Sequence, residues 1–340
     1  LPRRRERGLR ALMLRLPAFR YHRPDSLAEA LTMLRELRPD AMLVAGGTDL
    51  LPNMKRKLFT PKHLIGIGHL AELNYVRPNN GGFHIGASTP LETVEGQPEL
   101  VRAFPALAKA AASISTPQLR NAGTIGGNLC LDTRCNYYNQ SFFWRQALGF
   151  CMKKDATICR VATSSPICLA AHSADTVPVL TVLGASVSIR SAMAERQVNL
   201  ADLYRNDGIT FLKIERDEVL TDIYVPAAAG WRTSYWKLRD RESFDFPIAG
   251  VAVGLRLDGD TVAEVRTATT GMFPAPLPLR SVESALRGQR LTPEVIEAAA
   301  EAGYKEAHPV DNTSGTIVQR KNTVRVFIRR ALKELAQPAA

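Results

Sequence analysis

All five cysteines of the 340-residue chain, Cys130, Cys135, Cys151, Cys159 and Cys168, fall within one 39-residue segment. No other feature limits the fold as strongly, because thiols gathered this closely imply a local bond, metal or cluster. An odd number of cysteines, in a chain long enough to bury its own core and with no export signal, argues against a disulfide framework. Structural zinc favours close Cys-x2–4-Cys pairs, whereas the successive intervals here are 5, 16, 8 and 9. An iron–sulfur cluster tolerates such spacing, since its four thiolates can arrive from separate loops.

The rest of the chain is that of an ordinary globular protein. With 45% hydrophobic, 23% charged and 7% aromatic residues, it has room for roughly two or three cores, and low-complexity and disordered classes are excluded. The longest nearly apolar stretch, residues 177–189, falls short of the roughly 20 residues a bilayer-spanning helix needs. The expectation is a cytoplasmic protein without membrane insertion. Five arginines against one glutamate in residues 1–12 leave +7 of the formal +11 to the remainder, and residues 1–15 read as a basic tail or as sequence ahead of a start at Met13. A signal peptide is disfavoured, because Arg15 interrupts the apolar stretch and no small-residue cleavage site follows. Nucleic-acid binding is opposed by the lack of a basic stripe interleaved with aromatics and of a reading module.

Hydrophobic spacing divides the remainder into three units. In residues 16–75, Ser26 and Glu29 form a capping box ahead of Leu27, Ala30, Leu31, Leu34 and Leu37, which predicts a helix over 26–37. A strand over 42–45, the turn Gly46-Gly47-Thr48-Asp49, a short helix from Leu50 and a strand over 63–67 complete a small α/β subdomain. Residues 76–228 read as a larger α+β subdomain. It has a strand over 83–87, helices over 91–95 and 100–115 (the latter interrupted at Pro105), and a second glycine segment at 116–128. A cysteine-rich insert at 130–170 follows, then an apolar helix over 176–183 and strands over 186–190 and 219–225. After a boundary at 226–230, residues 229–340 alternate strands over 234–239, 249–257 and 262–270 with helices over 293–302 and 319–335, an α+β domain.

Consecutive glycines after a strand let the backbone approach a phosphate and turn several amides toward it. Val44-Ala45-Gly46-Gly47-Thr48-Asp49 fits that use, with the Thr48 hydroxyl as a further donor, although a tight strand-to-helix turn explains the same residues. No G-x-G-x-x-G is present, which disfavours a Rossmann dinucleotide fold. Arg120-Asn121-Ala122-Gly123-Thr124-Ile125-Gly126-Gly127-Asn128 repeats the chemistry, and two such nests suit a pyrophosphate held between subdomains. These segments resemble the two flavin motifs of the FAD-binding subunits of the xanthine oxidase group of molybdenum hydroxylases, and the resemblance runs from about residue 16 to the end. It implies that FAD is bound by Val44, Ala45, Gly46, Gly47, Thr48, Asp49 and Leu50, by Thr124, Gly126, Gly127 and Asn128, and by Asp175 in His172-Ser173-Ala174-Asp175. Lys237, in Lys237-Leu238-Arg239-Asp240-Arg241, resembles the family lysine near the flavin, with an ordinary salt bridge as the competing reading. His172 reads as a hydrogen-bonded structural residue rather than a flavin neighbour.

Most members of that family pass directly from the second flavin motif to the aspartate segment. The insert here resembles that of the β subunit of 4-hydroxybenzoyl-CoA reductase, in its intervals of 16, 8 and 9 and in Thr133-Arg134-Cys135 and Tyr138-Asn139-Gln140-Ser141. This resemblance implies a 4Fe-4S cluster on Cys135, Cys151, Cys159 and Cys168, leaving Cys130 as a small residue packed near the flavin. Tyr137, Tyr138, Phe142, Phe143 and Trp144 would shield the cluster or simply pack the insert, and Lys153 and Lys154 read as a solvated face. The implied function is electron relay with no catalytic side chain, the cofactors carrying the chemistry. The implied assembly is a dimer of heterotrimers with a molybdopterin-binding large subunit and a 2Fe-2S small subunit. Exchange with ferredoxin or a similar carrier would serve reductive dehydroxylation in anaerobic aromatic degradation. The alternative is the flavin subunit of an aldehyde- or N-heterocycle-oxidising molybdenum hydroxylase. A flavin-free scaffold is disfavoured by the intact glycine segments and Asp175.

Overall fold

The computed structural model describes residues 14–337, so the basic tail lies outside the described residues except for its last two positions. The first unit contains β1 (Arg20–His22), α1 (Leu27–Leu37), β2 (Ala41–Val44), α2 (Leu50–Lys55) and β3 (His63–Gly66). Its three strands form a parallel sheet in the order β1-β3-β2. The capping box starts α1: Ser26 Oγ accepts from the Glu29 amide at 3.2 Å, and the Glu29 carboxylate accepts from the Asp25 amide at 2.7 Å. Leu27, Ala30, Leu31 and Leu34 then form one buried stripe against Ile65 and Ile67, as a 3.6-residue repeat requires.

The second unit contains β4 (Val76–Asn79), β5 (Gly82–Gly86), α3 (Leu91–Gly96), α4 (Pro98–Ala103), α5 (Pro105–Ala112), α6 (Pro117–Ala122), α7 (Ile125–Leu129) and α8 (Phe142–Ala147). It continues with α9 (Thr176–Val182), β6 (Ser186–Arg190), β7 (Glu195–Asn199) and β8 (Val219–Val225). The strands make an antiparallel sheet in the order β4-β5-β8-β6-β7. The helix expected over 100–115 is two helices. Phe104, at φ −138°, lies outside helical geometry, and Pro105 opens α5 at the position where its missing N–H costs least.

The third unit contains β9 (Trp231–Leu238), β10 (Ala249–Asp258), β11 (Thr261–Thr270), α10 (Arg280–Leu286), α11 (Pro293–Glu306) and α12 (Ile317–Ala336). Its antiparallel sheet runs β11-β10-β9. Along β10 the side chains alternate in destination. Ala249, Val251, Val253 and Leu255 pack under α10 to α12, whereas Ala252 faces the core of the second unit. That second core is centred on α9, whose Val177, Val179, Leu180 and Val182 are fully buried between the two units. Among the described residues no helix is long and apolar enough to cross a membrane.

Candidate functional site

A cleft of about 880 Å³ opens between the first and second units, and residues 244–246 of the third unit reach its rim. Its floor is the turn that leaves β2. The Cβ that any other residue would place at position 46 would lie 1.8 Å from the Ala122 carbonyl oxygen, and Gly47 has φ +68°. The first glycine lets this turn sit on the end of α6, and the second lets it reverse direction in a region side chains disfavour. Among the described residues, the backbone amides of Gly46, Gly47, Thr48 and Asp49 have no main-chain acceptor. Four amides without a main-chain acceptor in one tight turn are able to donate together to an anion.

Across the cleft, Thr124 caps α7 by accepting from the Gly127 amide at 3.1 Å. Asn128 Oδ1 accepts from the Thr176 hydroxyl at 2.6 Å and ties α7 to the start of α9. Asp175, just before α9, accepts from the Tyr235 hydroxyl at 2.6 Å and from Lys237 Nζ at 2.9 Å. Burial pushes the Asp175 carboxyl above its ordinary value, against the pull of the Lys237 ammonium and the Tyr235 hydroxyl.

Beside the cleft lies a second, small cavity lined by Cys135, Cys151, Cys159 and Cys168. All four thiols are buried and free. Burial first, and then the other three sulfurs, push the Cys135 thiol up to about 12, and burial pushes Cys168 up to about 11. Cys130 is elsewhere: it lines the cleft, and burial raises its thiol to about 12. Among the described residues no three His, Cys, Asp or Glu side chains are grouped to hold a single metal ion.

The segment carrying the thiols, itself part of the second unit, is bound to the other two. Arg134, next to Cys135, pairs with Asp49 of the glycine turn and lies 4.2 Å from the Phe246 ring. Arg145, buried in α8, donates to the carbonyls of Arg56 and Lys57 at 3.3 Å, closing over the end of α2. Asn312 accepts from the Asn136 amide at 2.8 Å and donates to the Leu169 carbonyl, while buried Arg320 of α12 donates to its side chain at 3.2 Å.

Residues 17–228 match the FAD binding domain in molybdopterin dehydrogenase, and residues 234–335 match the CO dehydrogenase flavoprotein C-terminal domain. The chain belongs to this family of molybdopterin dehydrogenase flavoproteins. Within it, the chain is 32% identical over 320 residues to the carbon monoxide dehydrogenase medium chain of Hydrogenophaga pseudoflava, covering 93% of this chain and 96% of that one. The solved structure of that dehydrogenase superposes with a TM-score of 0.78 at 30% identity, covering 94% of this chain and 98% of that one. The chain is 27% identical to the glyceraldehyde dehydrogenase medium chain of Sulfolobus acidocaldarius, covering 94% and 99%. It is 29% identical to the nicotine 6-hydroxylase medium subunit of Paenarthrobacter nicotinovorans, covering 94% and 98%. As a molybdopterin dehydrogenase flavoprotein, the chain is an oxidoreductase component.

The flavoprotein cleft contains most of the residues singled out from the sequence. Val44 to Leu50, Thr124, Gly127, Asn128 and Asp175 all line it. Gly126 does not. Its amide donates to the Ala87 carbonyl at 2.8 Å, and a Cβ there would lie 2.6 Å from that oxygen, so this glycine serves close packing against the end of β5. The second glycine segment is therefore not a second open nest. The amides of Ile125, Gly126, Gly127 and Asn128 are all committed, to Thr89, Ala87 and Thr124. Lys237 is also absent from the cleft lining, because its ammonium is held by Asp175 and by the Ser113 carbonyl at 3.0 Å, with both side chains of the ion pair 4% exposed.

Two further expectations are corrected. Lys153 is not on a solvated face: its side chain is buried beside Asp132, while Lys154 is partly exposed. His172 is fully buried, but neither ring nitrogen has a hydrogen-bond partner among the described residues; its ring meets Tyr204 edge-on at 5.0 Å. Of the five aromatics, Tyr137 and Tyr138 line the thiol cavity, whereas Phe142, Phe143 and Trp144 are exposed. The sequence reading missed Arg134 and Asp132 as site residues. Arg134's position directly before the first of the four clustered thiols was the available signal.

Proposed function

We propose that the chain is the FAD and 4Fe-4S electron-relay subunit of a molybdenum-containing oxidoreductase. The observation that carries the reading is the convergence of four buried thiols on one cavity beside the cleft. A four-iron cube takes one thiolate per iron, so the donor set fits that group better than it fits a single ion. The cleft fits FAD: the amides of residues 46–49 would hold the pyrophosphate, and apolar residues such as Leu58, Leu91 and Ile114 would cover the rings. Bound there, FAD would supply exchange between one-electron and two-electron carriers. The chain's own residues position and insulate: Asp49 and Arg134 join the anion-binding turn to the first thiol, and Tyr138 keeps water from the cavity.

Substrate oxidation belongs to a separate molybdopterin-binding large subunit, with a 2Fe-2S small subunit between, as a dimer of heterotrimers. The names of the relatives, a glyceraldehyde dehydrogenase and a nicotine 6-hydroxylase among them, support an aldehyde or N-heterocycle as the substrate class. A second reading rests on a resemblance. The cysteine intervals of 16, 8 and 9 resemble those of the β subunit of 4-hydroxybenzoyl-CoA reductase, and that resemblance implies reductive dehydroxylation with electrons from ferredoxin.

An anaerobic absorption spectrum before and after dithionite, with iron and released flavin quantified, tests the cofactor assignment. About four irons and one FAD per chain are expected, and flavin without iron overturns the cluster. Turnover of aldehydes or N-heterocycles by the purified complex supports the first substrate class. Turnover of 4-hydroxybenzoyl-CoA with reduced ferredoxin instead replaces it with the second.

A further inference from the structure

The two cavities share a wall. Among the described residues, Tyr138 and Lys153 line both the cleft and the thiol cavity. The Lys153 side chain is 5% exposed, and its ammonium donates to Asp132 Oδ1 at 2.7 Å, the Gly208 carbonyl at 2.7 Å, the Thr133 carbonyl at 3.2 Å and the Thr133 hydroxyl. The Tyr138 ring lies 4.5 Å from the same nitrogen. A three-donor group with this many acceptors has no free rotor left, so its charge is fixed in place.

The charge is also placed asymmetrically. Asp132 lines the cleft and not the thiol cavity. On the other side, Gly208, whose carbonyl Lys153 holds, packs directly on Cys168, where an added Cβ would lie 2.8 Å from the sulfur. The cleft wall holds both Asp132 and Lys153, whereas of that pair only Lys153 lines the thiol cavity, where Arg160 is a second cation. In a buried setting such a field is weakly screened.

We propose that Lys153, anchored by Asp132, is a charge-placing residue that raises the reduction potential of the centre held by Cys135, Cys151, Cys159 and Cys168, with a smaller effect on the flavin. This rests on the reading of that cavity as a cluster site. Reduction adds negative charge between the four thiolates, and a fixed cation in the wall stabilises the added charge. Asp132 keeps the cation from having the same effect on the cleft side.

The test is a spectroelectrochemical titration of the iron-sulfur and flavin midpoints in the holoprotein. Lys153→Met should make reduction of the cluster about tenfold less favourable, which for a one-electron couple is about 59 mV more negative, and Lys153→Arg should restore most of it. Asp132→Asn should move the flavin midpoint in the positive direction, opposite to Lys153→Met, a sign reversal that loosened packing does not produce. If Lys153→Met loses iron, Asp132→Asn carries the test alone. Unmoved midpoints in variants with normal iron and flavin overturn the inference and leave the cofactor reading intact. Wild-type protein without iron overturns the cofactor reading itself.

Discussion

Gly46 and Gly47 are adjacent, yet each must be glycine for a different reason. At Gly46 there is no space for a Cβ beside Ala122, and at Gly47 the backbone is left-handed. Gly46→Val should therefore lift the turn off α6 and abolish flavin retention on gel filtration. Gly47→Ala should cost about 1 kcal/mol and keep the flavin, whereas Gly47→Asp, which adds an anion to the nest, should lose it. The glycine turn between strand and helix was legible in the sequence because the turn is local. The true role of Gly126 was not, since its partner Ala87 is 39 residues away, and the fate of Lys237 depends on Asp175, 62 residues earlier. His172 yields a pH prediction. Burial lowers its imidazole to about 3, below the ordinary 6.5, so between those values the unfolded chain binds a proton that the folded chain refuses. Stability is then complete above about pH 6.5 and falls as pH drops, by about 2 kcal/mol from pH 7 to pH 5. Urea titrations of wild type and His172→Phe at the two pH values should show the variant losing that increment.

At the scale of elements, α1 and the strands of the third unit were readable because their apolar period is strong and their caps are local. β4 and β7 were not: the sequences Val76-Arg77-Pro78-Asn79 and Glu195-Arg196-Gln197-Val198-Asn199 are polar edge strands, recognisable only by their partners β5 and β6. The insert had no periodic signal apart from its cysteines, and α8 within it depends on the Ser141 cap, whose hydroxyl accepts from the Trp144 amide at 3.2 Å. Because the four thiols come from loops joined to different units, Cys151→Ser should abolish iron binding while FAD remains. Cys130→Ala should leave iron unchanged. Iron and flavin analysis of the two variants checks both, and a loss of iron in Cys130→Ala would show that the wrong four residues had been chosen.

For the whole molecule, α9 is the element on which the second and third units both depend, with Leu180 at its buried centre. Leu180→Ala should destabilise by about 2–5 kcal/mol and should lower one transition, not split it in two. Far-ultraviolet circular dichroism and the fluorescence of Trp144, Trp231 and Trp236 should report the same midpoint in urea, since coincident probes mark a cooperative unit. The insert has a comparable reach. Asp49 holds its entry at Arg134, the carbonyls of Arg56 and Lys57 receive Arg145, and Asn312 with Arg320 secures Asn136 and Leu169. It is consequently not a portable cassette: transplanting residues 130–170 into a host without an insert would also require the main chain at residues 56–57 to be in place and the side chains of Asp49, Asn312 and Arg320 to receive it.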